Sequence, residues 1–108
     1  MRVALISAIS DPYYDYVRDG RKSWEIRLKK GGWENLKKGE AILLFRHGGR
    51  GEFLIVEILE RREFGSIAEA LKHVGIKNAI PQARNVSDAL SEYRRFYSEE
   101  KERKYGVV

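Results

Sequence analysis

Gly20-Arg21-Lys22-Ser23-Trp24-Glu25-Ile26-Arg27 places four charged side chains and a hydroxyl within seven residues. In extended backbone, side chains alternate between two faces. Trp24, Ile26 and Leu28 then share one face, which suits a core, and Ser23, Glu25 and Arg27 share the other. An acid and a base two residues apart, directly after a Gly-Arg-Lys turn, suit the wall of a polar binding site. The same spacing also fits a half-exposed antiparallel strand whose Glu25 and Arg27 are merely solvated.

Other chemically capable residues are sparse. His47-Gly48-Gly49-Arg50-Gly51 invites comparison with a phosphate cradle. It lacks the Lys-Ser/Thr ending of a P-loop and joins two strand-like runs, so it is read as a flexible hairpin with His47 and Arg50 within reach of a ligand. His47 and His73 are the only histidines and cysteine is absent. That leaves no thiolate nucleophile or disulfide framework, and no convincing zinc set. Neither a metal nor a cofactor is expected.

Charge is uneven. Residues 1–50 hold 11 Lys/Arg and 6 Asp/Glu, a balance of +5, whereas residues 51–108 hold 10 of each. Arg18, Arg21, Lys22, Arg27, Lys29, Lys30, Lys37, Lys38, Arg46 and Arg50 form a basic face if the fold gathers them. Such a face attracts phosphate backbones by counterion release, although a balance of this size also serves only to keep a protein dispersed.

These residues need elements to hold them. Arg2–Ile9 reads as a first strand. Asp11 as N-cap and Pro12 at the first helical position start a two-turn helix that Gly20 ends. Ser23–Leu28 is the second strand, and Lys29–Gly32 breaks regular structure. Ala41–Phe45 is almost wholly apolar and predicts a central strand buried on both faces. Phe53–Leu59 is the next strand. Ser66-Ile67-Ala68-Glu69 has the form of a capping box and opens a helix closed by Gly75. Residues 76–84 read as loop. Asn85 caps the final helix, on which Val86, Ala89, Leu90, Tyr93, Phe96 and Tyr97 recur at helical spacing and are assigned to core packing. Glu99–Lys104 alternate in sign and read as its solvated end. Gly106 stops it, and Val107-Val108 suggest a last short strand. The order predicts an α+β domain on a small mixed or antiparallel barrel.

At 108 residues with 43% apolar content, one folded domain spanning 1–108 is expected. No run approaches the ~18 apolar residues of a membrane span. The opening apolar stretch is too short, and lacks the layout, for a secretory signal. A cytoplasmic location follows as the expectation. Few Asn and Gln, no Cys and 34% charged residues point to a thermophilic source.

The chain resembles the ASCH domain, a relative of the PUA-like RNA-binding fold, over nearly its whole length. The resemblance rests on Gly20-x-Lys22-Ser23-x-Glu25-x-Arg27, on Leu36-x-x-Gly39-Glu40 entering the apolar strand, and on Tyr93-x-x-Phe96-Tyr97 before Gly106. It suggests a small stand-alone archaeal or bacterial member. It implies a β-barrel of five or six strands flanked by about three helices, and a basic cleft lined by the first motif that binds RNA or a modified nucleotide in translation or RNA metabolism. Within that picture Arg27 and Lys22 would hold phosphate or a base edge, one by a planar fork and the other as a point charge. Glu25 would brace Arg27 or accept from an exocyclic amine. Arg21, Ser23 and Arg46 would complete the polar wall. Tyr13, Tyr14 and Trp33 are the stacking candidates, and Trp24 belongs to the core by parity.

One branch of the family consists of small amidohydrolases of N4-acetylcytidine. The Gly-Arg-Lys turn matches their motif, but Glu25 stands where they carry threonine, and their later glutamate could fall at Glu63 or Glu69. On that alternative Lys22 and Glu25 would be the catalytic residues, with the Lys22 pKa lowered by burial or by neighbouring cations.

Overall fold

The apolar run Ala41–Phe45 lies at the centre of a three-stranded sheet. A computed structural model describes residues 2–108. The sheet comprises β1 (Val3–Ile9), β2 (Ala41–Arg46) and β3 (Phe53–Glu57) in the order β1-β2-β3. β1 runs parallel to β2, with Ile6 opposite Leu43 and Ala8 opposite Phe45. β3 is antiparallel, with Leu44 opposite Leu54 and Ile42 opposite Val56.

Alternation decides what each face buries. Ile42 and Leu44 enter the core, with Leu54 and Val56 packed against it. The other face is uncovered: Ile6, Phe45, Phe53 and Ile55 are all exposed. β2 is therefore central in order but fully buried on one side only, unlike the expected doubly buried strand: on the other side Ala41 is buried, Leu43 half-buried and Phe45 exposed.

Helices cover the core side. They are α1 (Tyr13–Arg18), α2 (Ile67–Val74), α3 (Ile76–Ala79), α4 (Val86–Arg94) and α5 (Glu99–Tyr105), with a short 3-10 turn at Gly31–Trp33. The capping box forms as read, Ser66 Oγ accepting from Glu69 N at 3.1 Å. Asn85 Oδ1 likewise accepts from Asp88 N at 2.9 Å. Three expectations need correction. Pro12, not Asp11, is the N-cap residue of α1, without a side-chain cap. Residues 76–79 of the expected loop are helical. The final helix is broken after Arg94 and restarts at Ser98, whose Oγ accepts from Lys101 N.

That restart explains a buried charge. Glu102 belongs to the stretch expected to be solvated, yet it is only 5% exposed. Its carboxylate accepts from Ile67 N in the first turn of α2 and pairs with Arg94 at 2.7 Å. A helix N-terminus leaves N–H groups without intrahelical partners and carries partial positive charge, so an anion there is stabilised.

The expected five- to six-stranded barrel gives way to this open sheet with five α-helices among the described residues. Ser23–Leu28 is not a regular strand. Asn78 O accepts from Ser23 N and Trp24 N, and Arg27 exchanges main-chain hydrogen bonds with Val108 at 2.8 and 2.9 Å. Val107 thereby makes lone bridges to Leu28 and to Phe64. The pairing reaches as far as Lys29 N, which donates to Gly106 O at 2.9 Å. Among the described residues no helix is long and apolar enough to cross a membrane.

Candidate ligand cavity

The motif is set in place by its glycine. Gly20 at φ 81° occupies the left-handed region that glycine enters without a Cβ clash. The reversal lets Lys22 N donate to Tyr16 O at 3.0 Å, returning the chain along α1. Lys22 is consequently turned inward and is 5% exposed. Its Nζ donates to Trp24 O and to Ala79 O, each at 2.7 Å, and lies 3.7 Å from Glu25 Oε1. Burial pushes the Lys22 pKa below its ordinary value, with Glu25 opposing.

Glu25 Oε1 also lies 3.5 Å from Arg27 Nε, so two cations converge on one carboxylate oxygen. Burial alone would raise the Glu25 pKa, but Lys22 and Arg27 together hold it below the usual carboxylate value. Burial would lower that of Arg27, and Glu25 and Tyr97 outweigh it. The Arg27 guanidinium stacks on Trp33, 4.4 Å from the ring centre, and its Nη2 reaches Ala8 O at 3.4 Å. Glu25 Oε2, in contrast, is buried without any hydrogen-bond partner.

These three charged residues line a cavity of ≈ 240 Å³ whose aromatic walls are Tyr13, Tyr93, Phe96 and Tyr97. The break between α4 and α5 supplies two of the walls: Phe96 and Tyr97 lie between the helices, and Phe96 remains exposed at the mouth. Tyr13 accepts a hydrogen bond from Gln82 at 2.9 Å. The Tyr93 hydroxyl is buried and has no partner. Burial raises the pKa of Tyr13, Tyr93 and Tyr97 alike, keeping their hydroxyls protonated. A larger hollow of ≈ 560 Å³ shares Lys22, Glu25 and Ile26 with this cavity and is otherwise walled mainly by apolar residues including Trp24, Trp33 and Leu36.

Of the residues singled out from sequence, Lys22, Glu25, Arg27 and Tyr13 meet in the smaller cavity, with His47 at its edge. The others lie elsewhere. Ser23 is exposed and borders the larger hollow. Trp33 backs Arg27 from that side. Arg21 is exposed, pairs with Asp19 at 3.1 Å and covers the Tyr16 ring. Arg46 is held by Asp11, Asp15 and Glu52 and covers the Tyr14 ring, so neither it nor Tyr14 is open to a ligand. Trp24 packs against the core and meets His73 edge-on. Glu63 pairs with Lys29 and Arg61, and Glu69 accepts from Gly65 N, so neither borders the cavity.

The expected basic face is largely compensated. Six of its ten members, Arg18, Arg21, Lys22, Arg27, Lys29 and Arg46, sit beside carboxylates. Sequence reading assigned Tyr93, Phe96 and Tyr97 to the core and gave Glu92, also in the wall, no role. The usable signal was chemical: a tyrosine taken into a core brings a hydroxyl that needs a partner.

The ASCH domain family model matches residues 8–108. Among solved structures, the chain is similar to the hypothetical protein PH0355, with 30% identity, a TM-score of 0.82, and 95% of this chain and 91% of that one covered. It is also similar to protein PF0455 from Pyrococcus furiosus, with 29% identity, a TM-score of 0.73, and 99% and 91% covered. No curated protein matches it.

Proposed function

The chain belongs to the ASCH domain family, and on that premise we propose that it binds RNA or a modified nucleotide in the cavity walled by Lys22, Glu25 and Arg27, acting in translation or RNA metabolism in the cytoplasm. The observation that carries this reading is the convergence of those three charged groups with Tyr13, Tyr93 and Tyr97 in one cavity. Hydrogen-bonding groups beside aromatic rings are what recognition of unpaired bases uses. Phe96, exposed at the mouth and 6.3 Å from the Tyr97 ring, offers a stacking surface to a neighbouring base. Fluorescence anisotropy with single-stranded RNA at low salt tests the reading. Phe96→Ala weakens binding about tenfold, the scale of one lost base–aromatic stack. Undetectable RNA affinity at low salt rejects it.

Hydrolysis of an N-acylated nucleoside is the second reading. It is favoured by one observation, a buried lysine with a lowered pKa beside Glu25 in the same cavity. Against it, Ser23, the hydroxyl of the motif, is exposed and does not line the smaller cavity, and the two short hydrogen bonds of Lys22 Nζ go to main-chain carbonyls. Incubation with a panel of N-acylated nucleosides decides the matter. Turnover no greater than that of Lys22→Ala ends this reading.

A further inference from the structure

Four buried side-chain nitrogen or oxygen atoms among the described residues lack a hydrogen-bond partner: Glu25 Oε2, the Tyr93 hydroxyl, Arg46 Nε and Arg61 Nε. The two arginines bond through their other nitrogens, to Asp15 and to Glu63 and Glu34 O. Glu25 Oε2 and the Tyr93 hydroxyl are different. Both belong to residues lining the same cavity, and leaving a buried polar atom unmet destabilises the fold.

The cations of the cavity are engaged by protein groups. An ammonium has three N–H groups. Those of Lys22 are accounted for by Trp24 O, Ala79 O and, at longer range, Glu25. Arg27 turns its Nε to Glu25 and its Nη2 toward Ala8 O, with Trp33 stacked on the guanidinium. The two cavity side chains with an unpartnered buried atom are a carboxylate, which repels phosphate and takes an N–H, and a hydroxyl able to donate to an acceptor. The volume agrees: ≈ 240 Å³ falls below the about 300–1,000 Å³ of pockets that enclose drug-sized ligands, so it takes a ring rather than a whole nucleotide.

Resting on the nucleotide-binding reading above, we infer that the ligand enters base first, an N–H and a neighbouring acceptor on the pairing edge of an unpaired nucleobase meeting Glu25 Oε2 and the Tyr93 hydroxyl, while sugar and phosphate stay at the mouth. Each of the four common bases presents an N–H beside an acceptor on that edge, whereas phosphate presents acceptors only. In a duplex the edge is occupied by the partner base, so the ligand is single-stranded or flipped out.

The test uses four RNA homo-oligomers, the tightest of which is compared with its counterpart methylated on the pairing edge and with an abasic oligomer of equal length. The inference expects methylation to weaken binding at least tenfold and the abasic chain to bind no better than the methylated one. Equal affinity for the methylated oligomer overturns the inference and leaves the nucleotide-binding reading standing. No binding by any oligomer removes both. Tyr93→Phe supplies an independent arm: affinity falls about fivefold, as for one lost hydrogen bond, while the melting temperature holds or rises because an unsatisfied hydroxyl has gone. A lower melting temperature with unchanged affinity marks Tyr93 as structural and overturns the inference.

Discussion

The ammonium of Lys22 lies 2.7 Å from the main-chain carbonyl of Ala79, fifty-seven residues further along the chain. With a second bond of equal length to Trp24 O, the lysine ties the motif to the end of α3 and delivers its charge to Glu25 from behind. The residue that reads from sequence as a probe for ligand is thus first an anchor, and it acts on a ligand through the carboxylate it supports.

Lys22→Met keeps an unbranched side chain one atom shorter and removes every side-chain donor. Trp24 O and Ala79 O lose a partner, and Glu25 loses one of its two counter-charges. Breaking a buried ionic contact from one side costs about 3 kcal/mol. Urea denaturation at neutral pH should show a midpoint lowered accordingly. An unchanged midpoint removes the anchoring role.

The buried tyrosines set the alkaline limit of stability. Tyr13, Tyr93 and Tyr97 have pKa values raised above the ordinary 10.0 by burial. Their unfolded counterparts lose protons near that ordinary value, so above it the folded chain binds more protons than the unfolded one and stability falls as pH rises. The contribution is complete below pH 10.0 and declines beyond it. Glu25 acts at the other end: its folded pKa is depressed, so its contribution is present above the ordinary carboxylate value of 4.5 and is lost as pH falls through the lower folded one. Ultraviolet titration should find at least three of the six tyrosines ionising only as the fold is lost. Six ordinary titrations contradict this account.

Glu102 gives a stability change remote from the cavity. Glu102→Ala leaves Ile67 N without its acceptor and Arg94 without its 2.7 Å partner. The cost should be about 3 kcal/mol, as for one side of a buried ion pair. Glu102→Gln keeps an acceptor for Ile67 N and costs less. Thermal melts of the two variants against the parent test the order, and equal melting temperatures contradict it.

How much of this was legible in the sequence varied with the range of the force involved. Local chemistry read well: the Ser66 and Asn85 caps, the turn at Gly20 and the apolar strand Ala41–Phe45 all depend on neighbours within a few residues. Alternation put Glu25 and Arg27 on one wall, as the structure has them. Lys22 lies before the alternating stretch, and its inward course is set by Asn78 O and Ala79 O, more than fifty residues away. Arg46 was misassigned because its carboxylates come from three separate places, Asp11, Asp15 and Glu52. Tyr93 was read correctly as buried, but burial alone does not reveal that its hydroxyl finds no partner.

Arg27 separates affinity from salt dependence. Each phosphate that a protein neutralises on a single strand contributes about −0.7 to the slope of log affinity against log salt. Arg27 faces Glu25, Ala8 O and Trp33, so a base-first ligand does not bring a phosphate to it. Arg27→Gln frees Glu25 from one counter-charge and disturbs the acceptor that the base requires, which should weaken RNA binding about tenfold, in the range of a lost charged hydrogen bond. The salt slope should stay that of the parent. Anisotropy titrations at several salt concentrations measure both quantities on the same samples. A slope shallower by about 0.7 would mean that Arg27 holds a phosphate, and the ligand would then enter this cavity the other way round.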